Sequence, residues 1–279
     1  AMIAMNLLGA GQSADYTNSG AWAKKAIDEA KCLGKVNVIA DCSKDRPTRV
    51  PAIDKLNFTP GAAYVHVTSN ETISGAQWQT FPQTDAPLIV DMSSDILSRP
   101  LDVSQFGIIY AGAQKNLGPS GVTVVIVRKD LMDRAPETVP AIFRYKTHAE
   151  AESMYNTPPC YSIYLVMLVT RWLLERGGVP AMEARNKEKA QKLYTALDSS
   201  SFYSATADTK YRSTMNVTFR VPSEELEAKF AKEADKAGLK QLKGHRSVGG
   251  IRASIYNAFP PEGVDALVSF MTEFEKKNG

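Results

Sequence analysis

Cysteine is scarce in this 279-residue chain, where Cys32, Cys42 and Cys160 are far apart and form no CxxC pair. An odd, scattered set of thiols argues against a disulfide framework and against a structural zinc site. Histidine is equally sparse, and His66, His148 and His245 are not spaced as a metal pair, so no metal centre is expected. There is little charge of one sign. Lys and Arg total 33 against 30 Asp and Glu, a net +3, which gives no general case for nucleic acid and leaves only local basic chemistry for an anionic small molecule. Long hydrophobic runs are missing too. The longest, Tyr161 to Leu174, falls short of the roughly 20 residues that span a bilayer and is read as a buried helix. The N-terminal AMIAMNLLGAG lacks a basic leader and a cleavage site. A cytoplasmic, reducing location with no membrane partner is the resulting expectation.

What is there alternates between helical and strand-like stretches. Trp22 to Leu33 carries apolar residues at Trp22, Ala26, Ile27, Ala30 and Leu33, a helical spacing, with Asn18 or Ser19 available as a cap and Gly34 as a stop. Continuous β-branched runs follow at 36–40, 62–67, 86–92, 106–113 and 122–127, as expected of strands buried on both faces in a mostly parallel sheet. Residues 128–160 are less regular. Helices are expected at 161–176 and 179–198, broken by Gly177-Gly178. Beyond them, 215–221 and 251–257 read as strands. Residues 223–238 read as a helix with a Ser cap, an acidic first turn and a closing Gly, and 260–277 as a last amphipathic helix. The expected class is α/β, with a large domain over 1–180 holding the parallel sheet and a smaller α+β domain over 181–279.

In an open parallel sheet, ligands sit outside the carboxyl ends of the strands. Asp91 closes the run PLIV and Lys115 follows the run GIIYAGAQ, so both belong at such ends. The pair suits pyridoxal phosphate, which needs a lysine amine for its aldehyde and a carboxylate to keep its pyridine nitrogen protonated. Taken singly, Asp91 also fits an acid capping the next loop, and Lys115 a solvated lysine after a strand. GAG at 9–11 lacks the lysine or the further glycines of a nucleotide loop.

Longer strings narrow the choice. AGAQKNLGPSG (111–121), DMSSDILSRPLDVS (91–104), SNETISG (69–75), YNTPPC (155–160) and LKGHRSVGGIRASIYNA (242–258) closely resemble, in order and from end to end, the segments of the phosphoserine aminotransferases, a family of fold-type I pyridoxal-phosphate transferases. The resemblance implies that Lys115 is the Schiff-base lysine and the base that moves the proton. It implies Asp91 on the pyridine nitrogen, Trp22 stacked on the ring, Thr72 on its phenolic oxygen, and Ser93 and Gln114 at the cofactor phosphate. Asn156 and Thr157 would reach the phosphate of the cofactor bound by the other subunit, so the site would belong to a homodimer. Arg252 matches the arginine on the substrate α-carboxylate, where a planar fork suits a bidentate anion. His245 and Arg246 match the pair that reads the substrate phosphate. The implied reaction is amino transfer between glutamate and 3-phosphohydroxypyruvate, giving phosphoserine in serine biosynthesis.

The resemblance begins partway along a helix, at IAMNLLG, so the family's N-terminal arm, first helices and glycine-rich phosphate turn are expected upstream of Ala1. A helix start of that kind is a natural anion site. Its absence motivates an alternative, a catalytically silent relative acting as a binding or regulatory subunit. A different pyridoxal-phosphate reaction would show no preference for phosphorylated substrates.

Overall fold

The structure is a computed structural model and describes residues 1–44 and 48–279. Eleven strands and seven α-helices are formed among the described residues. In chain order the strands are β1 (Ser13–Asn18), β2 (Lys35–Asp41), β3 (Val65–Thr68), β4 (Asn70–Glu71), β5 (Ala76–Gln77), β6 (Leu88–Asp91), β7 (Ile108–Gly112), β8 (Thr123–Val127), β9 (Ser204–Ala205), β10 (Asn216–Arg220) and β11 (Ile251–Ser254). The helices are α1 (Met2–Leu7), α2 (Ala21–Lys31), α3 (Tyr145–Glu150), α4 (Cys160–Glu175), α5 (Gly178–Asp198), α6 (Glu224–Lys236) and α7 (Pro261–Asn278).

The main sheet runs β2-β1-β3-β6-β7-β8. It is parallel except for β8, which pairs antiparallel with β7. Alternation along the strands splits its core in two. Val65, Val67, Leu88, Val90, Ile109 and Ala111 face one side with Trp78 and Leu117. Ala14, Tyr16, Ile89 and Ile108 face the other, against Ile27 and Ala30 of α2 and the residues of α1. A third core is built separately from α5, β10, β11, α6 and α7, with Leu193, Phe219, Phe230, Ile251 and Phe274 at its centre. The β11-β10-β9 sheet belongs to it.

Strand β1 is a departure from expectation. Its sequence, SADYTN, has no apolar run, yet five of its six residues are buried. Several of its polar groups are paired inside the fold: Asp15 accepts from Thr59 N at 2.7 Å and from Asn37 Nδ2 at 3.0 Å, and the Tyr16 and Tyr64 hydroxyls meet at 2.8 Å. Helix α2 also differs. Its N-cap is Gly20, which offers no side chain; neither Asn18, which lies in β1, nor Ser19 caps it. The helix ends at Lys31 and Gly34 N closes back on Ala30 O at 3.1 Å.

Helix α4 is where the run Tyr161 to Leu174 lies, and it is a correction. The helix forms, but Leu173 alone among its residues is buried; Tyr161 stays 73% and Leu174 71% exposed, and Ile163, Tyr164 and Met167 are exposed with them. No helix among the described residues is long and apolar enough to cross a membrane. Between α4 and α5 the chain turns on Gly177 and Gly178, at φ +92° and +71°, a region that costs side-chain-bearing residues dearly. Ser223 caps α6 as expected, accepting from Leu226 N at 3.2 Å.

Candidate active site at the carboxyl ends of the parallel strands

Four of the residues singled out above leave the sheet on the same edge. Trp22 lies in the first turn of α2, just after β1, and Thr72 follows β3 and β4. Asp91 is the last residue of β6, and Lys115 stands three residues past the end of β7. The parallel arrangement brings all four together because each strand runs the same way. Lys115 Nζ donates to Thr72 Oγ1 at 2.7 Å and lies 5.1 Å from the centre of the Trp22 ring. Burial pulls the Lys115 amine below its ordinary pKa; the nearby Asp91 charge opposes this and the Arg252 charge adds to it. Arg252 lies on β11, near enough for its charge to be felt at the lysine.

Asp91 is fixed by its own loop. One carboxylate oxygen accepts from Ser93 N at 2.9 Å and from Ser93 Oγ at 2.6 Å. Ser93 Oγ in turn accepts from Gly112 N at 3.1 Å, which ties the loop after β6 to the end of β7. Gln114 folds beside the same backbone, its amide oxygen 2.8 Å from where a Cβ on Gly112 would stand. Ser93, Gln114 and Gly112 thus line one rim next to Lys115.

Two functional residues were not assigned a role from the sequence. Glu71 is fully buried, and its carboxylate accepts from Ser19 Oγ at 3.1 Å, Ala23 N at 3.2 Å and Trp22 N at 3.3 Å. A carboxylate from a distant hairpin thus does the capping that no residue of the local sequence does, and it anchors the turn that carries Trp22. Burial raises the Glu71 pKa to about 7, with the Asp91 charge adding to it and the three hydrogen bonds opposing it. Its signal was there in SNETISG: an acid amid small residues needs partners once buried. Asn116 is the second. Its amide donates to Ile96 O at 3.2 Å and contacts Met215 Sδ at 3.5 Å, while its Oδ1 accepts from Asn257 N at 3.1 Å. The residue after Lys115 therefore joins the loop after β6 to the β10 and β11 segments.

The remaining candidates lie apart. His245 sits in the loop 244–250, its Nδ1 2.7 Å from Ser247 Oγ, and Arg246 is exposed. The base of that loop is anchored: Gly250 N donates to Glu227 Oε2 at 2.8 Å, and Arg220 pairs with Glu227 at 2.8 Å and donates to Val248 O. Asn156 and Thr157 are exposed in the segment before α4, where Asn156 Nδ2 contacts Thr157 O at 3.4 Å. Among the described residues, no hydrogen bond or ion pair links these four side chains to Lys115, Asp91 or Trp22. Arg252 is half-buried and its Nε has no partner among the described residues, so this guanidinium keeps an unused donor.

The donor set fits pyridoxal phosphate. A partly dried amine stands beside an exposed aromatic face, with a carboxylate held by its loop and an arginine donor left free.

Comparison with known proteins agrees with this geometry. The family described as aminotransferase class-V matches residues 1–267. A phosphoserine aminotransferase of Desulfatibacillum aliphaticivorans is 57% identical over 286 residues, covering 100% of this chain and 78% of that protein. The solved phosphoserine aminotransferase from Bacillus circulans subsp. alkalophilus superposes with a TM-score of 0.98 at 52% identity, over 100% of this chain and 78% of that one. The pyridoxal-phosphate-bound enzyme from Trichomonas vaginalis gives 0.93 at 42% identity, over 97% and 78%. The chain belongs to the class V aminotransferases and, within them, to the phosphoserine aminotransferase family.

Proposed function

We propose that the chain is a pyridoxal-phosphate-dependent phosphoserine aminotransferase, moving an amino group between glutamate and 3-phosphohydroxypyruvate. The observation that carries this is the Lys115 amine, lowered in pKa by burial and set between Thr72 and Trp22 within range of Asp91 and Arg252. When bound, the cofactor supplies an aldehyde to carry the amino group and a ring to take up electrons. The protein's part is placement and proton transfer. Lys115 serves as attachment point and as the base that moves the substrate's α-proton; an amine of lowered pKa is more often in its free, proton-accepting form near neutrality. Asp91 holds the charge of the pyridine nitrogen, Trp22 covers the ring face, Thr72 meets the phenolic oxygen, and Ser93 and Gln114 take part of the phosphate. Arg252 grips the substrate carboxylate with its free donor. His245 and Arg246 select the substrate phosphate.

The same reading divides the chain near residue 180 into a cofactor domain and a substrate domain, which the separate cores support. It places two chains in a homodimer in the cytoplasm, with Asn156 and Thr157 reaching the cofactor phosphate of the neighbouring subunit; the exposed apolar surface of α4 supports an assembly larger than one chain. No observation favours a silent binding subunit. Purified protein supplied with pyridoxal phosphate, glutamate and 3-phosphohydroxypyruvate is expected to form 2-oxoglutarate, and Lys115→Ala to slow this by about a hundredfold or more. A Lys115→Ala variant that transaminates as well as the parent would refute the assignment. Sedimentation at twice the 30.5 kDa chain mass checks the dimer.

A further inference from the structure

Behind Asp91, on the face of the main sheet that packs against α2, lies a row of buried polar rings that the reaction does not use directly. Asp91 pairs in register with Tyr110 on β7, and His66 on β3 pairs with Ile89, two residues before Asp91. Alternation puts all three side chains on one face. His66 Nε2 lies 3.0 Å from the Tyr110 hydroxyl. The His66 ring is stacked on Tyr16, centroids 4.8 Å apart at 20°, and Tyr16 is itself held by the Tyr64 hydroxyl at 2.8 Å. The imidazole plane is thereby fixed, with Nε2 aimed at Tyr110. His66 Nδ1 is buried and has no partner among the described residues.

We propose that Tyr110 and His66 are positioning residues for Asp91: His66 Nε2–H donates to the Tyr110 oxygen, and the Tyr110 O–H donates to the Asp91 carboxylate, which holds that carboxylate aimed at the cofactor's ring nitrogen. The inference rests on the functional reading above. The direction of each bond follows from donor counting. A neutral imidazole has one N–H, and leaving it dry on Nδ1 costs more than leaving a lone pair there. The proton therefore belongs on Nε2. With Nε2 donating, the single phenolic proton of Tyr110 is free for Asp91, and an ionised carboxylate can only accept. The opposite arrangement strands a buried N–H and leaves Asp91 without the tyrosine. The electrostatics agree: burial pushes His66 down to about 3, keeping it neutral, and burial together with the charge of Asp91 beside it holds Tyr110 well above the usual phenol range.

The test uses the intact chain with 15N-labelled histidine, its His66 signals identified by their loss in His66→Gln. Nitrogen shifts in the cofactor-free protein are expected to show neutral His66 with its proton on Nε2. Pyridoxal-phosphate titrations and steady-state kinetics complete the set. Tyr110→Phe should weaken cofactor binding and lower kcat, each by about tenfold, with the KM for glutamate changed less than about threefold and the unfolding midpoint near the parent's. His66→Leu should reproduce this, and His66→Gln, whose amide N–H can take the place of Nε2–H, should restore most of it. A proton on Nδ1 overturns the relay, as do parent-like affinity and kcat in both Tyr110→Phe and His66→Leu. A parent that binds the cofactor but does not transaminate defeats the functional reading instead; the tautomer and the binding constants still decide the relay.

Discussion

Lys115 and its companions are held by bonds that arrive from far along the chain. Thr72 is 43 residues away from Lys115, Glu71 is 48 from Ala23, and Asn257 is 141 from Asn116. The side chains of His245 and Asn156 bond only within their own loops, to residues one or two places on. The cofactor side of the proposed site is thus assembled by the fold of a single chain, whereas the phosphate-reading side is a pair of exposed segments with a firm base and a free tip. Order that comes from long-range contacts is present before any ligand binds. Order at a free tip comes with the ligand or with a neighbouring subunit.

If that contrast is right, damage to the inner half should disturb stability and cofactor together. Glu71→Ala removes the acceptor of two helix-end N–H groups and should lower unfolding free energy by about 2–3 kcal/mol, read by denaturant titration, with a change in Trp22 fluorescence and weaker cofactor binding. Unchanged cofactor affinity in a destabilised Glu71→Ala would show that the helix cap and the cofactor face are independent. Damage to the outer half should touch substrate recognition alone. Arg246→Ala is expected to raise the KM for the phosphorylated substrate by about tenfold, while its unfolding free energy stays within about 0.5 kcal/mol of the parent. A clear loss of stability there would erase the distinction.

A further effect concerns pH. Glu71 has a folded pKa of about 7 against an ordinary 4.5, so between these values the folded chain holds a proton that the unfolded chain has released. Stability from this group is fully present below pH 4.5 and is lost as pH rises toward 7. Glu71→Gln should flatten that part of the curve of stability against pH; a curve of parental slope would place the titration elsewhere.

The β-branched runs that became β3, β6 and β7 were readable because a strand buried on both faces must be apolar throughout; β8, which was also expected to be buried, is an edge strand with no buried residue. The starts of these runs were drawn one to three residues too early, and β8 carries no sequence mark of its reversed direction. Strand β1 was hidden because its polar side chains are satisfied by partners from residues 37 to 64, contacts that no local window contains. Helix α4 misled for the converse reason: hydrophobicity tells that a surface wants cover, not whether this chain provides it. In the site, Lys115 and Asp91 stood out by their place after apolar runs. The roles of Glu71 and Asn116 depend on partners 48 and 141 residues away; for Glu71 its small neighbours hint at burial but not at what it caps, and for Asn116 nothing nearby announces the role.

Asn116 has a mechanical meaning beyond its bonds. It sits one peptide from the reacting amine and grips Met215 and Asn257, which flank the strand carrying Arg252 and its neighbour in the sheet. On the proposed assignment, a shift of the β10–β11 unit is passed through these contacts to the loop of Lys115, so the two ends of the proposed substrate are gauged together. Changes made on β11 to alter substrate choice should therefore surface as changed turnover as well as changed binding, and redesign of one will carry the other along.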